Sequence, residues 1–245
     1  VSRATTPYDA FASFYDHVVG ERRDVAQFIG TLIKRHHPKA ETILEFGCGS
    51  GSMLRVLSKH YSCTGIDNSR SMLALARTKS PRSRLVLGDI RKAHLAERFD
   101  VVTAPFDTIN HINTRQGWRK VFANAIRHME PKGVFIFDIN TPAKMERYCH
   151  EPVTAEVTKD RISLVDVKRG KGDHYEITAR LLARTKGNSF TMHSMKLREL
   201  ILHPKEVLRE LSDFFQTITV VDPERRYANE ESEEVYFICR NPFGG

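Results

Sequence analysis

Residues Ile43-Leu44-Glu45-Phe46-Gly47-Cys48-Gly49-Ser50-Gly51 join an apolar run to an acid and three alternating glycines. This reads as a buried strand entering a tight turn beneath a ligand, because glycines tolerate positive φ and let the backbone approach closely. A helix after such a turn offers unpaired N–H groups to whatever occupies it. The spacing discriminates among ligands. A dinucleotide fingerprint counted from Gly47 needs a third glycine at position 52, which is Ser52; here that glycine comes early, at Gly51. Glu45 would oppose an anionic pyrophosphate and suits a ligand with a cationic amino group. Asp67 ends a second short run, Ser62-Cys63-Thr64-Gly65-Ile66-Asp67, where a carboxylate can accept both hydroxyls of a ribose. Gly88-Asp89-Ile90 ends a third.

These residues need strands that end side by side. Strands are expected at 43–46, 62–67, 85–89, 99–104 and 133–138. Between and before them, helical apolar spacing covers 8–19, about 22–37, 52–60, 70–78 and 118–129. Alternation of this kind implies a doubly wound, mostly parallel sheet. The pattern changes near residue 150. Three alternating β-like stretches follow, 153–168, 174–185 and 189–202, separated at Gly170-Lys171-Gly172-Asp173 and Lys186-Gly187-Asn188. His203-Pro204 then opens a helix with Val207, Leu208, Leu211, Phe214 and Phe215 on its apolar face, and strands near 216–222 and 234–240 close the chain. The expected organisation is an N-terminal helical lid (1–40), a core (41–150 and 203–245) and an antiparallel insertion (151–202) over the pocket.

The chain has 245 residues, 40% hydrophobic and 28% charged, enough for a full α/β core. No stretch approaches the roughly 20 apolar residues of a membrane span. The segment Val1-Ser2-Arg3-Ala4-Thr5-Thr6-Pro7 lacks a signal-peptide core, so a soluble cytoplasmic protein is expected. The cysteines Cys48, Cys63, Cys149 and Cys239 form no Cys-x-x-Cys pair, which indicates neither zinc nor a disulfide framework, and no metal is expected. A net charge of +8 raises the question of nucleic acid, but the basic residues are dispersed in short clusters such as Arg22-Arg23 and Lys34-Arg35-His36-His37. A solvated surface explains them better than a nucleic-acid stripe. A monomer or homodimer is expected.

Acid-x-Gly-x-Gly-x-Gly, with acids ending the next two strands, resembles the class I S-adenosylmethionine-dependent methyltransferases. From Tyr8 to Asp138 the chain is similar to their small-molecule members. The segment Tyr8-Asp9-Ala10-Phe11-Ala12-Ser13-Phe14-Tyr15-Asp16 is similar to the lid helix of glycine, amino-sugar and natural-product N-methyltransferases. Pro105-Phe106-Asp107-Thr108-Ile109-Asn110-His111 resembles the Phe-Asp-Ser-x-Asn-His/Tyr stretch of that group. It differs from the Asn-Pro-Pro-Tyr motif of enzymes acting on DNA bases or protein glutamine.

The resemblance implies a Rossmann-like seven-stranded sheet with S-adenosyl-L-methionine as cofactor, S-adenosyl-L-homocysteine as product and a small-molecule acceptor. Glu45 would face the methionyl amine, with Gly47, Cys48, Gly49 and Gly51 beneath the cofactor. Asp67 would take the ribose, Asn68 and Met72 would flank the adenine, and Asp89 and Ile90 would hold its edge and face. Ala104 and Phe106 would also touch the cofactor, and Tyr15 would close the lid. Tyr8, Asn110, His111, Trp118, Asp138 and Asn140 are the acceptor-side candidates, with Tyr8, His111 and Asp138 available for proton transfer. His111 reads also as a cap of the next helix, Trp118 as a core anchor of its helix, and Asn140 equally as a helix start.

The expected reaction is in-line methyl transfer to nitrogen, with oxygen as the alternative acceptor atom. A neutral amine needs little help from a base, whereas a hydroxyl or heterocyclic N–H needs one. An RNA methyltransferase should add a basic groove with stacking aromatics. A regulator that binds the cofactor without turnover is the rival from outside enzymology.

Overall fold

The computed structural model describes residues 6–20, 23–150, 153–158, 160–185, 189–225 and 227–243. Two helices lead, α1 (Pro7–Val19) and α2 (Arg23–His36). The core continues with β1 (Thr42–Phe46), α3 (Ser52–Leu57), β2 (Ser62–Asp67), α4 (Arg70–Lys79), β3 (Arg84–Leu87) and β4 (Phe99–Ala104). Then come α5 (Arg115–His128), β5 (Met129–Asn140) and α6 (Pro142–His150). A second group of strands follows: β6 (Val153–Val157), β7 (Arg161–Arg169), β8 (His174–Arg184) and β9 (Phe190–Leu200). The chain closes with α7 (Pro204–Leu211), β10 (Phe215–Val221) and β11 (Glu234–Pro242).

The main sheet has seven strands in the order β10-β11-β5-β4-β1-β2-β3, with β11 antiparallel to both neighbours and β1 to β5 parallel. Period-two alternation divides β1 between two cores. Leu44 and Phe46 pack with α5 and α7, while Ile43 packs with α2 and α3. Coverage of both faces is why these strands read as unbroken apolar runs. The strand order reverses between β1 and β4, so their carboxyl ends splay apart and open a crevice there.

The second sheet is antiparallel, β6-β7-β8-β9. The stretch expected as one strand at 153–168 is two, β6 and β7, folded against each other with a register shift between Ala155 and Val157. The expected turn at Lys186-Gly187-Asn188, like Val1–Thr5 and Arg22, lies outside the described residues. Other boundaries also shift. Helix α3 stops at Leu57, three residues early, because the chain must turn so that Ser62 can donate to the carbonyl of Glu41 at the head of β1. Strand β5 starts at Met129, opposite Phe99, and Glu130–Gly133 bulge out before pairing resumes at Val134. Helix α7 ends at Leu211, leaving Phe215 to begin β10 from a buried position.

Helix α1 connects the two sheets. Phe11 packs on Ala179, Leu181 and Met195 of the second sheet. On its other side Asp9 accepts from Ser69 Oγ at 2.7 Å and the Ser71 amide at 3.2 Å, at the start of α4. Asp16 pairs with Lys79 at the end of α4 and accepts from Ser50 Oγ in the glycine turn at 2.6 Å. Burial works against the Asp9 carboxylate, but hydrogen bonds from Ser69, Thr6 and Ser71 outweigh it and hold its pKa well below the usual range.

Candidate active site

A cleft partly open to solvent lies over the carboxyl ends of β1, β2 and β3. Its floor is the glycine turn. Gly47 and Cys48 both donate to the carbonyl of Ile66, and Gly49 donates to Asp67 Oδ2 at 2.8 Å. Gly47 has φ +69°, and a Cβ there would stand 2.5 Å from the Thr108 side chain, so only glycine lets the turn meet the loop after β4. Gly51 does not line the cleft. It caps α3 at φ +77°, and a Cβ would stand 2.9 Å from that of Ala76, so it allows α3 and α4 to approach.

Glu45 lines the cleft at 1% exposure, and its Oε2 has no hydrogen-bond partner. Burial, reinforced by the nearby Asp67 charge, pushes its carboxyl well above the ordinary range. Asp67 accepts from Gly49 through one oxygen and from the Ser69 amide through the other, so it braces the turn and the start of α4 together. Burial raises its pKa despite those bonds. Asn68, Met72, Asp89 and Ile90 line the next part of the wall. Arg91, which nothing in the motifs singles out, grips both oxygens of Asp89 and holds that carboxyl below its usual value.

At the other end Tyr8, Tyr15, Phe106 and His111 enclose the cleft. The Tyr8 hydroxyl is 2.9 Å from His111 Nε2, and the Tyr8 and Tyr15 rings meet edge to face at 5.9 Å. Burial lowers the proton affinity of His111 while the Asp107 and Asp67 charges oppose that, and the net shift is downward. A neutral imidazole at pH 7 follows.

The remaining expected residues stand behind this wall. Ala104 is fully buried under it. Trp118, also fully buried, donates Nε1–H to the Ile112 carbonyl at 2.8 Å and anchors the core. Asn110 ties three elements together: its Nδ2 donates to Leu200 O at 2.9 Å and its Oδ1 accepts from the Asn140 amide at 3.1 Å. Asp138 Oδ2 accepts from the Asp107 amide at 2.8 Å. That bond holds two consecutive non-glycine residues at positive φ, Phe106 at 58° and Asp107 at 49°. Burial, with Glu234 and Asp107 nearby, pushes the Asp138 carboxyl well up. The structure therefore makes Asn110, Trp118, Asp138 and Asn140 supports of the wall, none of them lining the cleft.

A polar cluster joins Asp107 and His111 of the motif after β4 to Glu199, which no motif marks. Donor atoms of Asp107, His111 and Glu199 lie within 4.8 Å of one another. Burial and mutual repulsion push the Asp107 carboxyl up to about 7, and burial takes Glu199 to about 7 as well. Lys144 stands next to them, bonded to Asn140 Oδ1 at 2.7 Å and 3.7 Å from Glu234. Three donors at that spacing could gather round a divalent cation; Lys144 favours the ionised forms of both acids without offsetting their burial.

The methyltransferase domain family matches residues 43–133. Residues 43–133 are thus similar to a methyltransferase domain. The matched segment runs from β1 to the start of β5 and includes Glu45, the glycine turn, Asp67, Asp89 and His111. Tyr8, Asp138 and the second sheet lie outside it. A dTDP-3-amino-3,6-dideoxy-alpha-D-glucopyranose N,N-dimethyltransferase from Streptomyces fradiae is 33% identical over 132 residues, 52% of this chain and 52% of that protein. A dTDP-3-amino-3,4,6-trideoxy-alpha-D-glucopyranose N,N-dimethyltransferase from Streptomyces venezuelae is 29% identical over 134 residues, 53% of this chain and 55% of that protein. The chain thus spans about half the length of these relatives. Among solved structures, an S-adenosylmethionine-dependent methyltransferase from Clostridium acetobutylicum superposes with a TM-score of 0.81 at 20% identity, covering 96% of this chain and 99% of that one. An amino pentose methyltransferase from Micromonospora echinaspora, solved with S-adenosylmethionine bound, gives 0.76 at 21% identity, with 98% and 99% covered. The matched segment and the strands beyond it share that fold.

Proposed function

We propose that this protein transfers a methyl group from S-adenosyl-L-methionine to the amine nitrogen of a small molecule, releasing S-adenosyl-L-homocysteine. The observation that carries this reading is Glu45. A buried carboxylate oxygen without a partner costs several kcal/mol unless a cation meets it. It sits where the glycine turn opens, and the ammonium of the cofactor's methionyl part fits that oxygen where a phosphate would be repelled. Farther along the cleft, Asp67 would receive the ribose, and the apolar sides of Met72 and Ile90 suit an adenine ring.

The bound cofactor supplies a sulfonium methyl that is already activated. What the protein adds is alignment of the acceptor and a place for its proton. Tyr8 would take a proton from the acceptor nitrogen while passing its own to His111 Nε2, 2.9 Å away. Helix α1 would serve as the lid and the second sheet as the roof that selects the acceptor. The names of the Streptomyces relatives support an amino sugar as the first acceptor to try. The free thiols among the described residues suit a reducing compartment such as the cytoplasm.

Calorimetry with S-adenosylmethionine, S-adenosylhomocysteine and NAD, followed by turnover on a panel of nucleotide-linked amino sugars, tests the reading. Heat with the first two and methylated amine as product are expected. Heat with NAD alone would overturn it.

A further inference from the structure

Along β9, Met195, Leu197 and Glu199 point to one face of the second sheet, and the first two pack against Tyr8 and Phe11 of α1. The third position on that apolar face is an acid at 1% exposure. An ionisable side chain is costly there without a partner, and such a position more often serves function than folding. Its two oxygens face different groups. Oε2 accepts from Asn140 Nδ2 at 3.3 Å, and Oε1 lies 3.6 Å from His111 Nδ1, at ion-pairing distance. The other ring nitrogen, Nε2, faces the Tyr8 hydroxyl and the cleft.

We propose that Glu199 is the positioning residue for His111: its carboxylate holds the imidazole by the Nδ1 side and balances the charge the ring acquires when Nε2 accepts a proton. This rests on the reading above, in which His111 receives the acceptor's proton. In that step the acceptor N–H bond breaks and its proton goes to the Tyr8 oxygen. The Tyr8 proton goes to Nε2, and Nδ1 keeps its own proton facing Glu199. The imidazolium then carries one positive charge beside one carboxylate, in a setting with little water to screen it.

Other charged groups also face this ring. Asp107 approaches Nε2 at 3.5 Å, the same nitrogen that Tyr8 faces, and its carboxyl also hydrogen-bonds that of Glu199, so the two acids and the ring form one cluster. From β2, Asp67 adds a weaker upward influence on the ring's proton affinity, and Tyr15 meets the Tyr8 ring edge to face. On the far side of the two acids, Lys144 of α6 favours their ionised forms, while Asp138 and Glu234 oppose ionisation of Asp107. Only Glu199 touches Nδ1 among the described charged groups. The role also explains why Asn140 and Lys144 are spent on this corner. Lys144 donates to the Asn140 oxygen, and that orients the Asn140 amide toward Glu199. The carboxyl's rise to about 7 means it becomes an anion near neutral pH, where His111 must accept its proton.

The test is ¹⁵N NMR of the histidine rings in the full chain, with His111→Ala assigning the signal, in wild type, Glu199→Gln and Glu199→Asp. The same proteins are assayed for S-adenosylmethionine affinity and for the pH profile of turnover. In wild type the neutral ring should carry its proton on Nδ1. Glu199→Gln should mix the tautomers of the neutral ring at pH 8, where the Glu199 carboxyl is ionised. It should lower kcat with cofactor affinity within about twofold, and Glu199→Asp should restore part of each. An unchanged tautomer in Glu199→Gln would overturn the proposal, whatever happens to turnover. Full turnover in His111→Ala would instead remove the base role itself, a failure the ring spectra distinguish from the first.

Discussion

The Tyr8 hydroxyl and His111 Nε2 lie 2.9 Å apart, joining the first helix to the turn after β4 across 103 positions of sequence. The contact places a donor from α1 on the nitrogen of a neutral imidazole, at the end of the cleft opposite Met72 and Ile90. Tyr8→Phe keeps the ring packing and removes the hydroxyl. A hydrogen bond of about 1–1.5 kcal/mol corresponds to roughly a tenfold fall in kcat. Steady-state turnover should show that fall with Tm unchanged.

His111 titrates lower than an ordinary histidine because it is buried. Turnover should therefore hold through neutral pH and decline only at pH below the ordinary histidine range, when the ring becomes charged before it can accept a proton. A pH profile of kcat checks this, and the decline should vanish in His111→Ala together with most of the rate.

Glu199 contributes to stability with the opposite sign from a salt-bridged acid. Its folded pKa of about 7 lies above the ordinary 4.5, so the folded state binds its proton more tightly than the unfolded chain does. That preference is fully present at pH below about 4.5 and is lost as pH rises through about 7. Glu199→Gln removes the dependence. Denaturation midpoints should show the variant gaining on wild type from pH 5 to pH 8, by up to about 3 kcal/mol.

Asp138 and the Asp107 amide hold a turn with two positive φ angles. Asp138→Asn retains an accepting oxygen and should turn over at close to the wild-type rate. Asp138→Ala releases the strain into the loop and should cost about 2 kcal/mol, a drop of about 4–8 °C in Tm for a chain of this size. Loss of rate in the asparagine variant with Tm intact would restore the proton-transfer role the sequence suggests for this acid.

The Lys144 ammonium favours the ionised forms of Asp107 and Glu199. Dialysis against a chelator should leave turnover and Tm unchanged. A loss reversed by a divalent cation would assign these acids to a metal instead.

The glycine-turn half of the cleft is legible in the sequence because it is local. Glu45, Gly47 and Gly49 lie within one turn, and Asp67, Asp89 and Ile90 come at or just after the next two strand ends, where open sheets bind ligands. Gly51 and Ala104 belong to the same strings yet support helix packing and the sheet, a difference of one side-chain direction that spacing does not carry. The acceptor end depends on distant pieces. Asn110, Asn140 and Leu200 meet through hydrogen bonds across up to 90 positions, and Glu199 arrives on a strand whose alternation reads only as β. Arg91 sits two residues after the acid it grips, but no pattern marks an arginine there as part of a wall.

The central claim is that Glu45 waits for the ammonium of S-adenosylmethionine, and calorimetry of Glu45→Gln tests it most directly. Removing a buried unpaired charge should leave Tm equal or higher, while losing a desolvated charge pair should weaken S-adenosylmethionine binding by about 100-fold. Wild-type affinity in Glu45→Gln would contradict the account.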